Sequence, residues 1–353
     1  MAVRDRQVED FRLGRLAVAY AQPPRAAAVM VDGGKLQTRL ASAGRGVHDP
    51  HWREFKAACC LSLSSRLSVS DPQPEPPAKF LDPVQAARLA AEMKARGGGA
   101  GRRVPAQGGP AKGWKRRRGK GVGGPVKLVR TVLASTYPSE QFGWQVAAEV
   151  HRRGLHLARR KGYICAGQKY NWSIYEMHFV ASGFVAILDF LHLLSYLYGA
   201  AQAVGGKGSV AAWSLYEGWL RLAWAGRTKE LLEGMKAACA SLGEAAEGRG
   251  EDDPRAVAAE ALGYVGNNRQ RMDYPRYRQM GLPVSSAFVE STIKQLNRRV
   301  KGTEKFWGQG EGAEAILQLR AAHLSEDDTV DRYWSMPRPC RRAAGAGRLN
   351  QRR

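Results

Sequence analysis

The sequence predicts an α/β fold, a sheet flanked by helices. Short apolar runs that stop at turn residues alternate along the chain with longer segments of helical period. The chain has 353 residues, 44% of them hydrophobic, which is enough for a substantial core in one large domain or two smaller ones.

The elements follow in order. Residues 26–31 (Ala-Ala-Ala-Val-Met-Val) form a buried strand that ends at Asp32-Gly33-Gly34, with a carboxylate at its tip. Residues 35–40 and 55–63 supply two further strands, so that 1–63 is the start of a sheet. Composition changes over 64–125: four prolines (72, 74, 76 and 77) precede a short Ala-rich helix, and a Gly/Arg/Lys stretch follows from 97 to 124. This segment is expected to be a basic linker or insertion. The rest of the sheet domain, 126–189, holds strands at 126–133, 162–165 and 184–188 and helices at 139–154 and 171–179. From 190 to 280 the chain is expected to be all helical, with helices at 190–203, 210–225, 228–242 and 255–264. Trp213, Tyr216, Trp219 and Trp224 anchor them as core residues rather than as base-stacking platforms. Residues 281–335 return to the core, and 336–353 form a basic tail.

Lys and Arg number 55 against 32 Asp and Glu, a net charge of +23, and many lie in clusters such as Arg116-Arg117-Arg118 and Arg298-Arg299. Such clusters suit a polyanionic partner, nucleic acid first, whose phosphates they would track; the plain alternative is a solvated basic surface. Five cysteines, at 59, 60, 165, 239 and 340, form no CxxC pair, which fits a reducing cytosol rather than a disulfide framework or a structural zinc site. No signal peptide is expected at the start, where Arg4, Asp5 and Arg6 bring mixed charge. The most apolar stretch, 179–204, carries Asp189 and His192. A charge there would cost roughly 2.5–3.5 kcal/mol in a membrane, so a buried strand and helix are expected instead. No phosphate-binding GxxxxGK[ST] loop and no HExxH occurs.

One carboxylate, Glu290, lies in a helix that is otherwise apolar and basic, among Lys294, Arg298, Arg299, Lys301 and Lys305. Val289, Ile293, Leu296 and Val300 fall on one face at helical spacing, with Glu290, Lys294 and Asn297 on the adjacent stripe. An acid so placed can hold a metal ion while its basic neighbours hold phosphate. The bland alternative is an exposed Glu290–Lys294 pair worth about 0.2–0.5 kcal/mol. Ser285-Ser286 precede the helix and suit capping better than nucleophilic attack.

Together these segments resemble the DDE transposases of bacterial insertion sequences, in particular the ISKra-type group, which is distantly similar to mutator-like transposases. The resemblance covers roughly residues 25–335. It rests on Val31-Asp32-Gly33-Gly34, Tyr170-Asn171-Trp172-Ser173-Ile174, Ile187-Leu188-Asp189-Phe190-Leu191-His192, Arg271-Met272-Asp273-Tyr274, and Gly281-Leu282-Pro283-Val284-Ser285-Ser286-Ala287-Phe288-Val289-Glu290-Ser291. Arg299-Val300-Lys301-Gly302-Thr303-Glu304-Lys305-Phe306-Trp307 and Ile316-Leu317-Gln318-Leu319-Arg320 extend it.

The resemblance implies a ribonuclease-H-like mixed sheet flanked by helices, with an all-helical insertion before the last catalytic helix. It implies metal-dependent DNA cleavage and strand transfer, Asp32 and Glu290 as first and third acids and ligands of Mg2+, and Asp189 with His192 as support for the site. Their alternative is a helix N-cap and a core histidine. Arg271, Lys294, Arg298, Arg299, Lys301 and Lys305 would contact DNA. It further implies a bacterial cytoplasmic, nucleoid-associated protein, a homo-oligomer and no membrane. Two departures stand out. Ala166 occupies the place of the second acid in Ile164-Cys165-Ala166-Gly167, and a methyl group cannot ligate Mg2+. The first acid comes only 32 residues from the start, which leaves little of the amino-terminal region that relatives use to recognise element ends. The expectations are therefore a transposase with impaired cleavage or a non-catalytic DNA-binding remnant; an RNA-binding or ribosome-associated protein would leave the ordered motifs unexplained.

Overall fold

A computed structural model describes residues 2–19, 22–38, 51–97, 124–243, 250, 252–301, 307 and 311–335. Five strands form one open mixed sheet: β1 (Ala26–Thr38), β2 (His51–Ser64), β3 (Val126–Ser135), β4 (Arg160–Cys165) and β5 (Val185–Leu188), in the order β3-β2-β1-β4-β5. β2 is antiparallel to β1 and to β3, while β4 pairs parallel with both β1 and β5. The helices are α1 (Ala2–Arg12), α2 (Pro83–Gly97), α3 (Ser139–Arg152), α4 (Lys169–His178), α5 (Phe190–Gly205), α6 (Val210–Trp224), α7 (Thr228–Cys239), α8 (Pro254–Asn268), α9 (Tyr274–Gln279), α10 (Ala287–Val300), α11 (Glu311–Leu324) and α12 (Thr329–Ser335). The expected α/β class is what the chain adopts.

The strands expected at 26–31 and 35–40 are one as far as Thr38, and residues 39 and 40 lie outside the described residues. The β1–β2 ladder runs unbroken from Ala26↔Leu63 to Thr38↔His51 and passes straight through Asp32-Gly33-Gly34. The double glycine is not a turn but a place where β2 side chains cross β1. A Cβ on Gly34 would stand 2.6 Å from Cε1 of the buried Phe55, so a larger residue there would displace that ring.

Side-chain alternation divides the sheet into two faces. Met30 pairs with Cys59, whose Sγ lies 3.3 Å from Thr292 Oγ1 of α10, so the even-numbered β1 residues, Asp32 included, share the α10 face. The opposite face is covered by α3. There the Arg153 guanidinium bonds Ser62 Oγ at 2.8 Å and also the Thr131 hydroxyl. Glu149 of α3 accepts from Arg4 at 2.8 Å, Gln7 at 2.9 Å and Arg152 at 2.5 Å. Burial opposes the charge on Glu149, but Arg4 and Arg152 hold its carboxyl down at about 2. These contacts dock α1, which has no apolar stripe to announce it in the sequence.

Residues 71–93, within the expected linker or insertion, are packed. Phe80 is buried 5.8 Å from the Phe190 ring, the Trp224 indole donates to Gln73 O at 2.9 Å, and Arg278 clasps Asp71 at 2.8 and 2.5 Å. The basic residues 98–123 and the tail 336–353 lie outside the described residues. α5 to α9 follow β5 as expected for the all-helical stretch, with Tyr216, Trp219 and Trp224 buried and Trp213 half-buried.

Both outer strands make hydrogen bonds with flanking segments along part of their free edges. On β3, Arg130 O accepts from Glu326 N at 2.7 Å and Val132 N donates to Ser325 Oγ at 2.9 Å. On β5, the hydroxyls of Tyr274 and Tyr277 donate to Leu188 O and Ala186 O at 3.1 and 3.2 Å. Among the described residues no helix is long and apolar enough to cross a membrane.

Candidate metal centre

The three parallel strands bring their carboxyl ends together. Val31 pairs with Cys165 and Cys165 with Leu188. Carried one residue further, this register sets Asp32, Ala166 and Asp189 side by side, and alternation assigns all three to the α10 face. Asp32 and Asp189 are buried, and Ala166 between them contributes only a methyl group.

α10 reaches the same edge from above. Its N-cap residue is Ser286, yet the Ser286 hydroxyl does not cap the helix: it donates to Glu290 Oε1 at 2.8 Å. Glu290 is buried, and Lys294 pairs with Glu92 at 3.0 Å, so the alternative of an exposed Glu290–Lys294 pair does not occur. Ser286 N donates to Asp189 Oδ1 at 2.7 Å. Asp189 is also the N-cap of α5, where it accepts from Leu191 N at 3.4 Å and His192 N at 3.0 Å, and its Oδ2 meets His192 Nδ1. One buried carboxylate thus ties the starts of α5 and α10 together. Asp189 is therefore the helix N-cap of the alternative reading and His192 a largely buried histidine, and both stand beside Glu290.

Asp189, His192 and Glu290 each offer a ligand atom, and the three atoms lie within 4.8 Å of one another. This buried group has the composition of a divalent-ion site. Asp32 adjoins it electrostatically. Burial pushes the Asp32 carboxyl up to about 6, against the charge of His192, and Glu290 and Asp189 add to the rise. Burial also works against a charged His192, but the hydrogen bond and charge of Asp189, with Asp32 and Glu290, push its imidazole up to about 9. The same hydrogen bond and charge hold Asp189 below the ordinary carboxylate range despite its burial.

The rise at Asp32 has a consequence for stability. The unfolded carboxyl ionises near 3.8 and the folded one near 6, so the native state holds the extra proton in between. Above about 6 the fold carries the whole cost of an ionised buried carboxylate, on the order of 3 kcal/mol at 1.36 kcal/mol per unit. Asp32→Asn is expected to raise the unfolding free energy in chelator at pH 8 by up to that amount and to change little at pH 4. Equal stability of the two proteins at both pH values would refute this.

The basic residues named from the sequence divide into two groups. Arg298, Arg299, Lys294 and Lys301 are exposed at or just beyond α10, and the Lys301 ammonium stands 4.9 Å over the Trp52 ring. Arg271 is different: its guanidinium stacks 4.1 Å over Trp172, donates to Asn268 Oδ1 at 3.3 Å and lies 3.9 Å from Glu176, so much of its bonding is already inside the fold. Lys305 lies outside the described residues.

Two features escaped the sequence. The sequence suits Ser286 to capping, and only the three-dimensional path of α10 shows it bridging Asp189 and Glu290. The Tyr170 hydroxyl donates to Glu54 Oε1 at 2.6 Å, with Lys56 Nζ 5.2 Å over the Tyr170 ring. Burial, Glu54 and Asp32 oppose ionisation of that hydroxyl and push its pKa up. Glu54, among charged and aromatic residues of β2, carried no signal; Gly33 beside it did, as a missing side chain next to the acid.

No protein-family model matches this chain, and it matches neither a curated protein nor a solved structure.

Proposed function

We propose that this chain is a transposase-derived DNA-binding protein of ribonuclease-H-like fold, related to the DDE enzymes of bacterial insertion sequences and impaired in strand cleavage. The observation that carries the reading is the convergence of Asp32, at the end of the parallel pairing of β1, with Glu290, 258 positions later (290 − 32), at one sheet edge. The strand order β3-β2-β1-β4-β5 with β4 and β5 parallel to β1 is compatible with that fold. In this reading α5–α9 are the helical insertion that precedes the last catalytic helix.

The family's metal pair does not fit the residues present. Asp32 and Glu290 supply hard oxygen ligands suited to Mg2+. The register position between Asp32 and Asp189 is Ala166, and two-metal phosphodiester chemistry needs a carboxylate there. No cleavage step is therefore assigned to this chain.

DNA binding rests on charge. The net charge is +23, and Lys294, Arg298, Arg299 and Lys301 are exposed on or just beyond α10, the helix that carries Glu290. Binding of duplex DNA is expected to be nearly independent of sequence and to weaken linearly in log–log fashion with salt. With six phosphate contacts the affinity would fall by roughly 10³ between 50 and 200 mM salt. Fluorescence anisotropy on two unrelated duplexes tests this; salt-insensitive binding, or no binding at low salt, would refute the reading.

A further inference from the structure

Asp189, His192 and Glu290 form a cluster that the family reading uses only as support. Their ligand atoms lie within 4.8 Å of one another, although Glu290 is about a hundred residues from the other two in sequence. Ligand atoms at 2.0–2.2 Å from a shared metal lie roughly 3–4 Å apart, so a bound ion would draw these groups somewhat closer and would meet His192 at Nε2, since Nδ1 is bonded to Asp189 Oδ2. Asp189 is fully buried, Glu290 is 6% exposed and the His192 side chain 15%, so the group is enclosed yet reachable from one side.

The cluster is also braced from outside. The amides of Leu191, His192 and Ser286 point at Asp189, and the Ser286 hydroxyl points at Glu290. Hydrogen bonds of this kind fix carboxylates in the orientation that a metal needs. Two carboxylates and an imidazole, buried together, make a site for a dication.

We propose that this chain binds one divalent ion of the nitrogen-accepting class, Zn2+ or Co2+, at Asp189, His192 and Glu290. The site is displaced one strand, toward β5, from the place that Ala166 leaves without a ligand. Mg2+ is disfavoured, because it demands octahedral oxygen coordination, whereas imidazole suits Zn2+ and its neighbours. The inference goes beyond the transposase reading and does not depend on it.

Co2+ is the probe. The metal-free full-length protein is titrated with Co2+ and followed by visible d–d absorption and by calorimetry, then challenged with Zn2+ and with Mg2+. One Co2+ per chain is expected, displaced by Zn2+ and not by equimolar Mg2+. His192→Gln, which leaves both Asp189 helix contacts in place, is expected to weaken Co2+ by at least about tenfold and to change the absorption band. Glu290→Gln is expected to weaken it likewise. Thermal melts of each variant identify any that fails to fold. Absence of Co2+ binding, an unchanged spectrum in His192→Gln, or displacement by equimolar Mg2+ would overturn the proposal. DNA affinity measured on the same samples reports separately on the transposase reading, so the two fail independently.

Discussion

Asp189→Ala is expected to lower the unfolding free energy by about 3–5 kcal/mol, the loss that follows when one partner of a buried ion pair is removed. The reasons lie in its contacts. Asp189 is fully buried, caps α5 through Leu191 N and His192 N, accepts Ser286 N at the entry to α10 and meets His192 Nδ1. Removing it leaves three amides without that acceptor and the imidazole without its counter-charge. Urea unfolding of Asp189→Ala, His192→Ala and the double variant separates these effects. The double variant is expected to cost clearly less than the sum of the singles, because the second deletion removes the imidazole that the first leaves unsupported. The His192 imidazole, followed by NMR in Asp189→Ala, is expected to titrate well below 9. A loss under about 1 kcal/mol in Asp189→Ala would mean that the cap and the ion pair contribute little.

Ala166→Asp is expected to have the largest effect on chemistry. The new carboxylate would stand between Asp32 and Asp189 in strand register, completing a set of oxygen ligands at the carboxyl ends of β1, β4 and β5. Without metal the variant should be less stable than the parent at neutral pH, because another negative group enters a space where Asp32 is already pushed up to about 6. Mg2+ should reverse this. An ion present at 100 times its dissociation constant stabilises the native state by about 2.7 kcal/mol, whereas the parent should respond far less. A nicking assay on supercoiled DNA should show Mg2+-dependent cleavage in Ala166→Asp and little in the parent. Robust cleavage by the parent would mean that Ala166 does not mark a missing ligand. A variant that folds yet gains no Mg2+ response would mean that Asp32 and position 166 do not share a Mg2+ site.

Much of this was legible in the sequence. The strand at 26–31, the α3, α4 and α10 helices and the buried stripe Val289-Ile293-Leu296-Val300 follow from local apolar period, which burial on one face imposes on any segment. The motifs also singled out Asp32, Asp189, His192 and Glu290. Less legible was whatever depends on pairing between distant segments. The reading of 35–40 as a separate strand failed because glycines break local patterns while leaving a β ladder intact, and β2 supplies the partners that carry β1 through them. α1 carries no such signal, because it docks through Arg4 and Gln7 on a buried glutamate and through the single ring of Phe11 against Trp144 and His151.

The sequence by itself determined the alternation of elements, the strong positive charge and the absence of a carboxylate at Ala166, since these are properties of residues taken singly or in short windows. Only the tertiary structure decided that Glu290 is buried rather than paired with Lys294, that Ser286 serves Glu290 rather than its helix, and that Asp189, His192 and Glu290 share one space. The physical reason is that burial and charge coupling depend on three-dimensional separation. The residues of this cluster are up to 101 positions apart in the chain (290 − 189) and within 4.8 Å in the fold.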